Sequence, residues 1–388
     1  PFASNEDSAG GADQLDKILD LRRQLHRQPE RSGAEAATAR RLLEFFEPLG
    51  ADLTLTGLGG HGLAFVFQGS APGPTVLLRA DLDALPGEED GHVAHRSTCP
   101  GVAHLCGHDG HMAILAAVGT ELAARRPGRG RAVLLFQPAE ENGTGARAVL
   151  ADERFAAIVP DHVFALHNLP GFALGEVVVR PGTFCCASKG LAITLRGTTG
   201  HAAQPETGNS PAAAMCDLMT ALPEVSRTVF PQKENAFLTV VGAELGEGVT
   251  FGTTPARATI RATLRSETDE VMAALEARVE HTVRKTADRD GLGWDISFTE
   301  EFPATVNASA AVEAIRTAAG DAPVTYTDRP FRWSEDFGHF TARYEGALFG
   351  IGAGKNVPAL HHPGYDFPDE LIAPAVAIFL NILARYLS

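Results

Sequence analysis

Cysteine is scarce in this sequence: five in 388 residues, at Cys99, Cys106, Cys185, Cys186 and Cys216. That is too few for a disulfide scaffold, and the odd total leaves at least one thiol without an internal partner. Reduced thiols suit a cytoplasmic protein, and such a thiol serves as a structural residue, a metal ligand or a nucleophile. Positive charge is also short, with 33 Lys and Arg against 48 Asp and Glu and a net charge of −15. A surface of that sign repels phosphate backbones and anionic lipid heads, which excludes nucleic acid and membrane surfaces as leading partners. Lysine is the rarer cation (Lys17, Lys189, Lys233, Lys285 and Lys355), a bias of genomic composition rather than of function. No apolar run reaches the roughly 18 residues that a membrane span needs. The closest, Leu371 to Leu387, contains Pro374, Asn381 and Arg385 and reads as a buried C-terminal helix. The opening PFASNEDSAGG is small, polar and glycine-rich, and is expected to be a tail or a processing remnant.

What is present is material for a core, since 44% of the residues are hydrophobic. At one domain per ~150 residues the length implies two or three domains. Helical periodicity opens the chain, with stripes at Leu15, Ile18, Leu19 and Leu25 and again at Leu42 to Leu49, stopped by Gly50. Short unbroken apolar runs follow at 63–67, 75–78, 132–136, 163–166 and 347–351. Strands apolar on both faces belong inside a largely parallel sheet covered by helices. Between about 188 and 302 the pattern changes. LAITLR (191–196), RATIRATL (257–264) and WDISF (294–298) alternate apolar and polar, and Asn235 to Ala243 supplies a fourth strand. Helices starting at Pro211 and after the cap Thr268 complete the order strand, helix, strand, strand, helix, strand, which is ferredoxin-like. The fold class is therefore α/β: a mixed, mainly parallel sheet domain (1–187 and 303–388) interrupted by an inserted α+β domain (188–302).

Chemistry gathers after the buried strands. The run at 75–78 leads to Asp81 and Asp83, the run at 132–136 to Glu140 and Glu141, and VFAL (163–166) to His167. AHLCGHDGHM packs His104, Cys106, His108, Asp109 and His111 at the start of a helix, and LHHPGYDFPDE after the last strand brings His361 and His362. In open α/β sheets ligands bind beyond the carboxyl ends of the strands, so these segments are expected to converge on one crevice. Carboxylates crowded there need a cation, and mixed S, N and O donors suit zinc, with manganese, cobalt or nickel also admitted. Neighbouring side chains of an extended segment point in opposite directions, so one of Glu140 and Glu141 can hold metal while the other faces the water it activates. That is apparatus for hydrolysing an amide or ester.

These segments resemble the M20 family of metallopeptidases and amidohydrolases, in particular its hippurate hydrolase and indole-acetyl-amino-acid hydrolase branch. The resemblance is carried by LHRQPE (25–30), RADLDALP (79–86), GVAHLCGHDGH (101–111), FQPAEENGTGA (136–146), ALHNLPG (165–171), GHAAQP (200–205), SEDF (334–337) and LHHPGYDF (360–367). It implies a catalytic domain, an inserted lid and two divalent metal ions per subunit, held by Cys106, His108, Glu141, His167 and His361. It implies Glu140 as general base, Asp83 as a carboxylate that orients a ligand, and His201 on the lid as the group polarising the scissile carbonyl. Asn168, Gly252 and Arg257 are the substrate-side candidates, although GTTPAR (252–257) departs from the family's Asn-x-Ile-Pro stretch by placing Gly252 at a polar position. His104 and His111 are lesser ligand candidates, and His362 reads as a surface residue.

The expected activity is cleavage of an N-acyl amino acid into a carboxylic acid and a free amino acid, in a homodimer, or a tetramer, assembled through the lid. A dipeptidase or carboxypeptidase of the same family is the alternative. A metal-binding or regulatory protein without catalysis is the alternative of another class, and an intact Glu140 speaks against it.

Overall fold

The computed structural model describes residues 10–90, 93–229, 236–248 and 250–388. The first nine residues of the expected tail and the expected strand start at Asn235 lie outside them. Two compact units divide the chain: one holds everything described up to Phe184 together with Thr305–Arg329 and Asp336–Ser388, the other Cys185–Ala304 and Pro330–Glu335.

Along the chain the first unit opens with helices α1 (Gly10–Arg27) and α2 (Ala36–Phe46), so Gly10 and Gly11 of the expected tail are helical. Strands β1 (Leu53–Leu58), β2 (Gly62–Gln68) and β3 (Thr75–Asp81) follow, then helix α3 (His108–Ala124) and strands β4 (Arg131–Gln137), β5 (His162–Pro170) and β6 (Val177–Val179). The inserted unit runs β7 (Ala187–Arg196), α4 (Ala212–Val229), β8 (Phe237–Leu245), β9 (Arg257–Ser266), α5 (Asp269–Arg289) and β10 (Gly293–Phe302). The chain returns through α6 (Ser309–Ala318), β11 (Val324–Tyr326), β12 (Glu345–Gly354) and α7 (Ile372–Leu387).

The large sheet has the order β1-β2-β4-β3-β5-β12-β6-β11. Its centre, β4-β3-β5-β12, is parallel. By contrast β2, buried along almost its whole length, is antiparallel to both neighbours. Burial on both faces marks helices above and below a strand, whichever way its neighbours run. Those helices include α3, which packs against α1, α7 and β3 and is buried nearly all round. Each side chain fully withdrawn from water in this core contributes on the order of 1.5–3 kcal/mol. The apolar C-terminal segment is α7, whose Ile378, Phe379, Ile382 and Leu383 are core residues. Taken together with the three residues before it, as Asp369–Leu387, it is long and apolar enough to cross a bilayer, and half of that apolar stretch is buried inside the protein.

The inserted unit is a four-stranded antiparallel sheet in the order β8-β9-β7-β10, backed by α4 and α5. Alternation sets its inward face: Leu191, Ile193 and Leu195 lie with Ile260, Ala262 and Leu264 over Leu218, Leu222, Leu275 and Val279. Thr268 caps α5 by accepting the Val271 N–H at 3.3 Å. Unlike the expected 188–302 span, the unit also takes in Pro330–Glu335, because Cys186 N–H donates to the Phe331 carbonyl (3.0 Å) and Arg265 to the Arg332 carbonyl (2.8 Å).

Candidate metal centre

The parallel strands aim their carboxyl ends at one region of the first unit. β3 ends at Asp81, with Asp83 two residues on. His167 lies inside β5 rather than at its end, because β5 continues along β12, where His167 stands opposite Gly350. Pairing of β5 with β3 stops at Ala165, opposite Arg79, so His167 lies two residues beyond the last β5 residue paired with β3.

Gly107 joins the loop carrying Cys106 to helix α3. Its φ of 93° is left-handed, and a Cβ there would lie 2.6, 2.8 and 2.9 Å from atoms of the Asn168 amide. Only glycine meets both conditions. Cys106 and His108 thereby fall on either side of one tight corner. His108 Nδ1 is 2.8 Å from the Asp83 carbonyl oxygen and must donate to it. The lone pair is left on Nε2, which is buried and has no hydrogen-bond partner among the described residues. Asp81 Oδ2 stands 3.5 Å from that nitrogen and Glu141 Oε1 3.7 Å. His167 repeats the arrangement: Nδ1 donates to the Asn168 carbonyl at 2.9 Å, and Nε2 is 3.5 Å from Cys106 Sγ. His361 arrives from the other side with a left-handed φ of 66°, its N–H on the Leu105 carbonyl (2.8 Å) and its Nε2 3.9 Å from Glu141 Oε1.

Donor atoms of Cys106, His108 and His167 lie within 4.8 Å of one another, as do those of Cys106, Glu141 and His361 and those of His108, Glu140 and Glu141. All five expected ligands and Glu140 thus meet in overlapping triads. One expectation needs correcting: Glu140 and Glu141 are not in an extended segment and do not diverge. They sit in a turn closed by Gly143 N–H on the Glu140 carbonyl (2.8 Å), and both send a carboxylate toward His108. The turn is held from behind by Asp83, which accepts the Glu140 N–H at 3.1 Å, the Glu141 N–H at 3.0 Å and the Ser32 hydroxyl at 2.6 Å. Burial, with the nearby charges of Glu35 and Asp81, pushes the Asp83 carboxyl up to about 7 against these donors.

The electrostatics ask for a cation. Burial and the carboxylates of Glu141, Glu140 and Asp81 push the Cys106 thiol well above its usual range. Burial also holds His108 well below its own, so its imidazole is neutral. A raised thiol, the unpartnered Nε2 of His108 and several carboxyl groups packed together are costly alone and become ligands once a divalent ion is added.

Other expectations change. His111 donates from Nδ1 to Asp81 Oδ1 (2.7 Å) and from Nε2 to Asn168 Oδ1 (2.5 Å). Burial opposes its charge, but these oxygens outweigh it and raise its pKa, so His111 has no lone pair for a metal. Asn168 also gives Nδ2 to the Cys106 carbonyl (3.1 Å) and to Tyr365 Oη (2.6 Å). Fully buried and committed to these partners, it braces the ligand loop rather than touching substrate. His104 is buried, with its pKa drawn down by burial to about 4, and belongs to none of the triads above. His362 is exposed.

Within the inserted unit, His201 bridges to Thr253, and Ala202 N–H donates to the Gly252 carbonyl at 3.0 Å. Ala203 N–H donates to His201 Nδ1 (3.0 Å), which puts the ring proton on Nε2. Arg257 is half exposed, 3.8 Å from Glu247. None of the five cysteines forms a disulfide.

Three supporting groups escaped the sequence reading. Arg22, completely buried, binds Asp109 at 2.9 Å beside the ligand His108, and also Asp369 and Asp366 on the loop that follows His361. Arg79 joins Asp81 (2.8 Å) to Asp336 (2.9 Å). Glu35 accepts the Ala139 N–H (2.8 Å) just before the glutamate turn. Arg79 and Asp336 lie in the quoted RADLDALP and SEDF segments, which was the available signal.

A mixed sheet that gathers thiol, imidazole and carboxylate donors beyond its strands, with an extra carboxylate beside them, defines a metal-dependent hydrolase. The chain belongs to peptidase family M20/M25/M40, whose family model matches residues 77–385. It is 30% identical to the hippurate hydrolase of Campylobacter jejuni over 385 residues, covering 96% of this chain and 99% of the relative. It is also 30% identical to the N-acetyldiaminopimelate deacetylase of Anoxybacillus flavithermus, with 96% and 97% covered. The crystal structure of Bacillus subtilis YxeP, described as a dinuclear metal binding peptidase of family M20, matches with a TM-score of 0.82 at 24% identity over 97% of this chain and 99% of that one.

Proposed function

We propose that this chain is a two-metal amidohydrolase that cleaves the amide bond of N-acyl amino acids. The observation that carries the reading is the meeting of Cys106, His108, Glu141, His167 and His361 with Glu140 alongside. Two relatives named for N-acyl amino acids, hippurate and N-acetyldiaminopimelate, support the substrate class.

Two divalent ions, zinc or manganese, with cobalt or nickel as substitutes, would be held by those five residues. Bound there, they supply Lewis acidity, polarising the scissile carbonyl and bringing a water toward a pKa of about 7. Glu140 takes the proton of the attacking water as its oxygen bonds to the carbonyl carbon. It then passes that proton to the amine nitrogen as the C–N bond breaks. Asp83 fixes the turn on which this depends. For His201 we propose donation from Nε2–H to the carbonyl oxygen as negative charge develops, a role its tautomer supports. A homodimer through the inserted unit is part of the same reading, supported by the edge strand β8, where Val241 is 63% exposed.

Replacement of Glu140 by Gln tests the mechanism. The variant is expected to keep both ions while turnover on N-acetyl and N-benzoyl amino acids falls by ~10²–10⁴. Wild-type turnover by a metal-loaded Glu140→Gln chain would sink the proposal.

A further inference from the structure

Glu35 is the last residue before α2, where a short polar side chain would ordinarily cap the helix, yet it makes no capping bond. Its carboxylate turns inward, entirely out of solvent. Oε1 accepts the N–H of Gly33 and the N–H of Ala139, both at 2.8 Å, while Oε2 has no hydrogen-bond partner among the described residues. A buried carboxylate satisfied on one oxygen alone is a poor bargain for stability, and a packed apolar residue would serve the fold better.

What it gains is control of one turn. Ala139 has φ of 53°, a left-handed conformation that a non-glycine residue resists. Three successive N–H groups, of Ala139, Glu140 and Glu141, are each received by a buried carboxylate: the first by Glu35, the other two by Asp83. Released from Glu35, the Pro138–Ala139 peptide would lose the acceptor of its N–H, and the turn that carries both glutamates would be held by Asp83 alone on that side.

We infer that Glu35 is a positioning residue for Glu140 and Glu141, acting through the Ala139 N–H. The inference rests on the metal-centre reading above. Its test is titration of Co²⁺ into the metal-free full-length chain, followed by the visible spectrum of the bound ion, together with kcat and KM of the loaded enzyme on an N-acetyl amino acid. Glu35→Ala removes the acceptor, and Glu35→Asp withdraws it by one methylene while keeping the charge. Both are expected to bind Co²⁺ about tenfold more weakly, with a shifted cobalt spectrum and a kcat lowered about tenfold at near-constant KM. Glu35→Gln keeps an oxygen where the N–H points and is expected to match the wild type. Wild-type affinity, spectrum and kcat in the Ala and Asp variants would overturn the inference, as would a Gln variant as impaired as Ala. Where Glu35→Ala does not fold, the Asp and Gln variants decide. Absence of cobalt binding by the wild-type chain would overturn the metal-centre reading, and this inference with it.

Discussion

Gly107 carries more of the site than any side chain could. It is left-handed, it stands against the Asn168 amide, and it separates two candidate ligands by one residue. Gly107→Ala must relieve a Cβ overlap and an unfavourable φ together, so a loss of about 2–4 kcal/mol is expected, read as a shift of the urea midpoint of the metal-free chain. Tight metal binding should fail with it. The ligands themselves were legible in the sequence, because a thiol, imidazoles and carboxylates announce their chemistry by type. Glu35 was not: its partner is a backbone N–H 104 residues away, and no side chain records that contact. His111, only a lesser ligand candidate in the sequence, was decided by contacts of the same hidden kind. Its type suggests a ligand, and only the oxygens on both ring nitrogens show that it is spent.

Elements were read with similar unevenness. Alternation in 191–196 and 257–264 marked strands with one open face, and β7 and β9 have it. The direction of β2 was beyond reach, since its residues record burial and not the heading of its neighbours. The glutamate turn escaped because its shape is imposed by Asp83 and Glu35 from elsewhere in the chain. β8 offers a test at this scale. It is an edge strand bearing Val241 and Leu245 in water, an arrangement that a lone protein usually blunts with charge. If the proposed dimer uses this edge, Val241→Lys is expected to lower the mass measured by sedimentation to that of one chain at micromolar concentration. A mass unchanged from the wild-type dimer would remove β8 from the interface.

For the molecule as a whole, the network around Arg22 and His26 ties α1 to α3 and to the loop after β12. His26 contacts Asp109 at 2.8 Å and Glu89 at 3.2 Å. Burial disfavours its charge, yet Asp109 and Glu89 outweigh burial and raise its pKa from 6.5 to about 9. The protonated imidazole therefore favours the folded chain. Its contribution is complete below pH 6.5, the unfolded value, and is lost as pH rises through 9. The amount is about 3 kcal/mol. Urea midpoints of the metal-free chain are expected to fall across this window, and those of His26→Gln to fall less. A gap between the two proteins that is the same at both ends would contradict the assignment. The order of the large sheet has a further consequence, for how the chain comes to be folded at all. β12 sits between β5 and β6 in space but is made some 170 residues after them, with the whole inserted unit synthesised in between. During synthesis the inserted unit has nearly all its strands in hand by Phe302, whereas the large sheet still lacks its middle. Its two halves wait with open edges until residue 354 leaves the ribosome, which makes this sheet the slow and aggregation-exposed step of biogenesis.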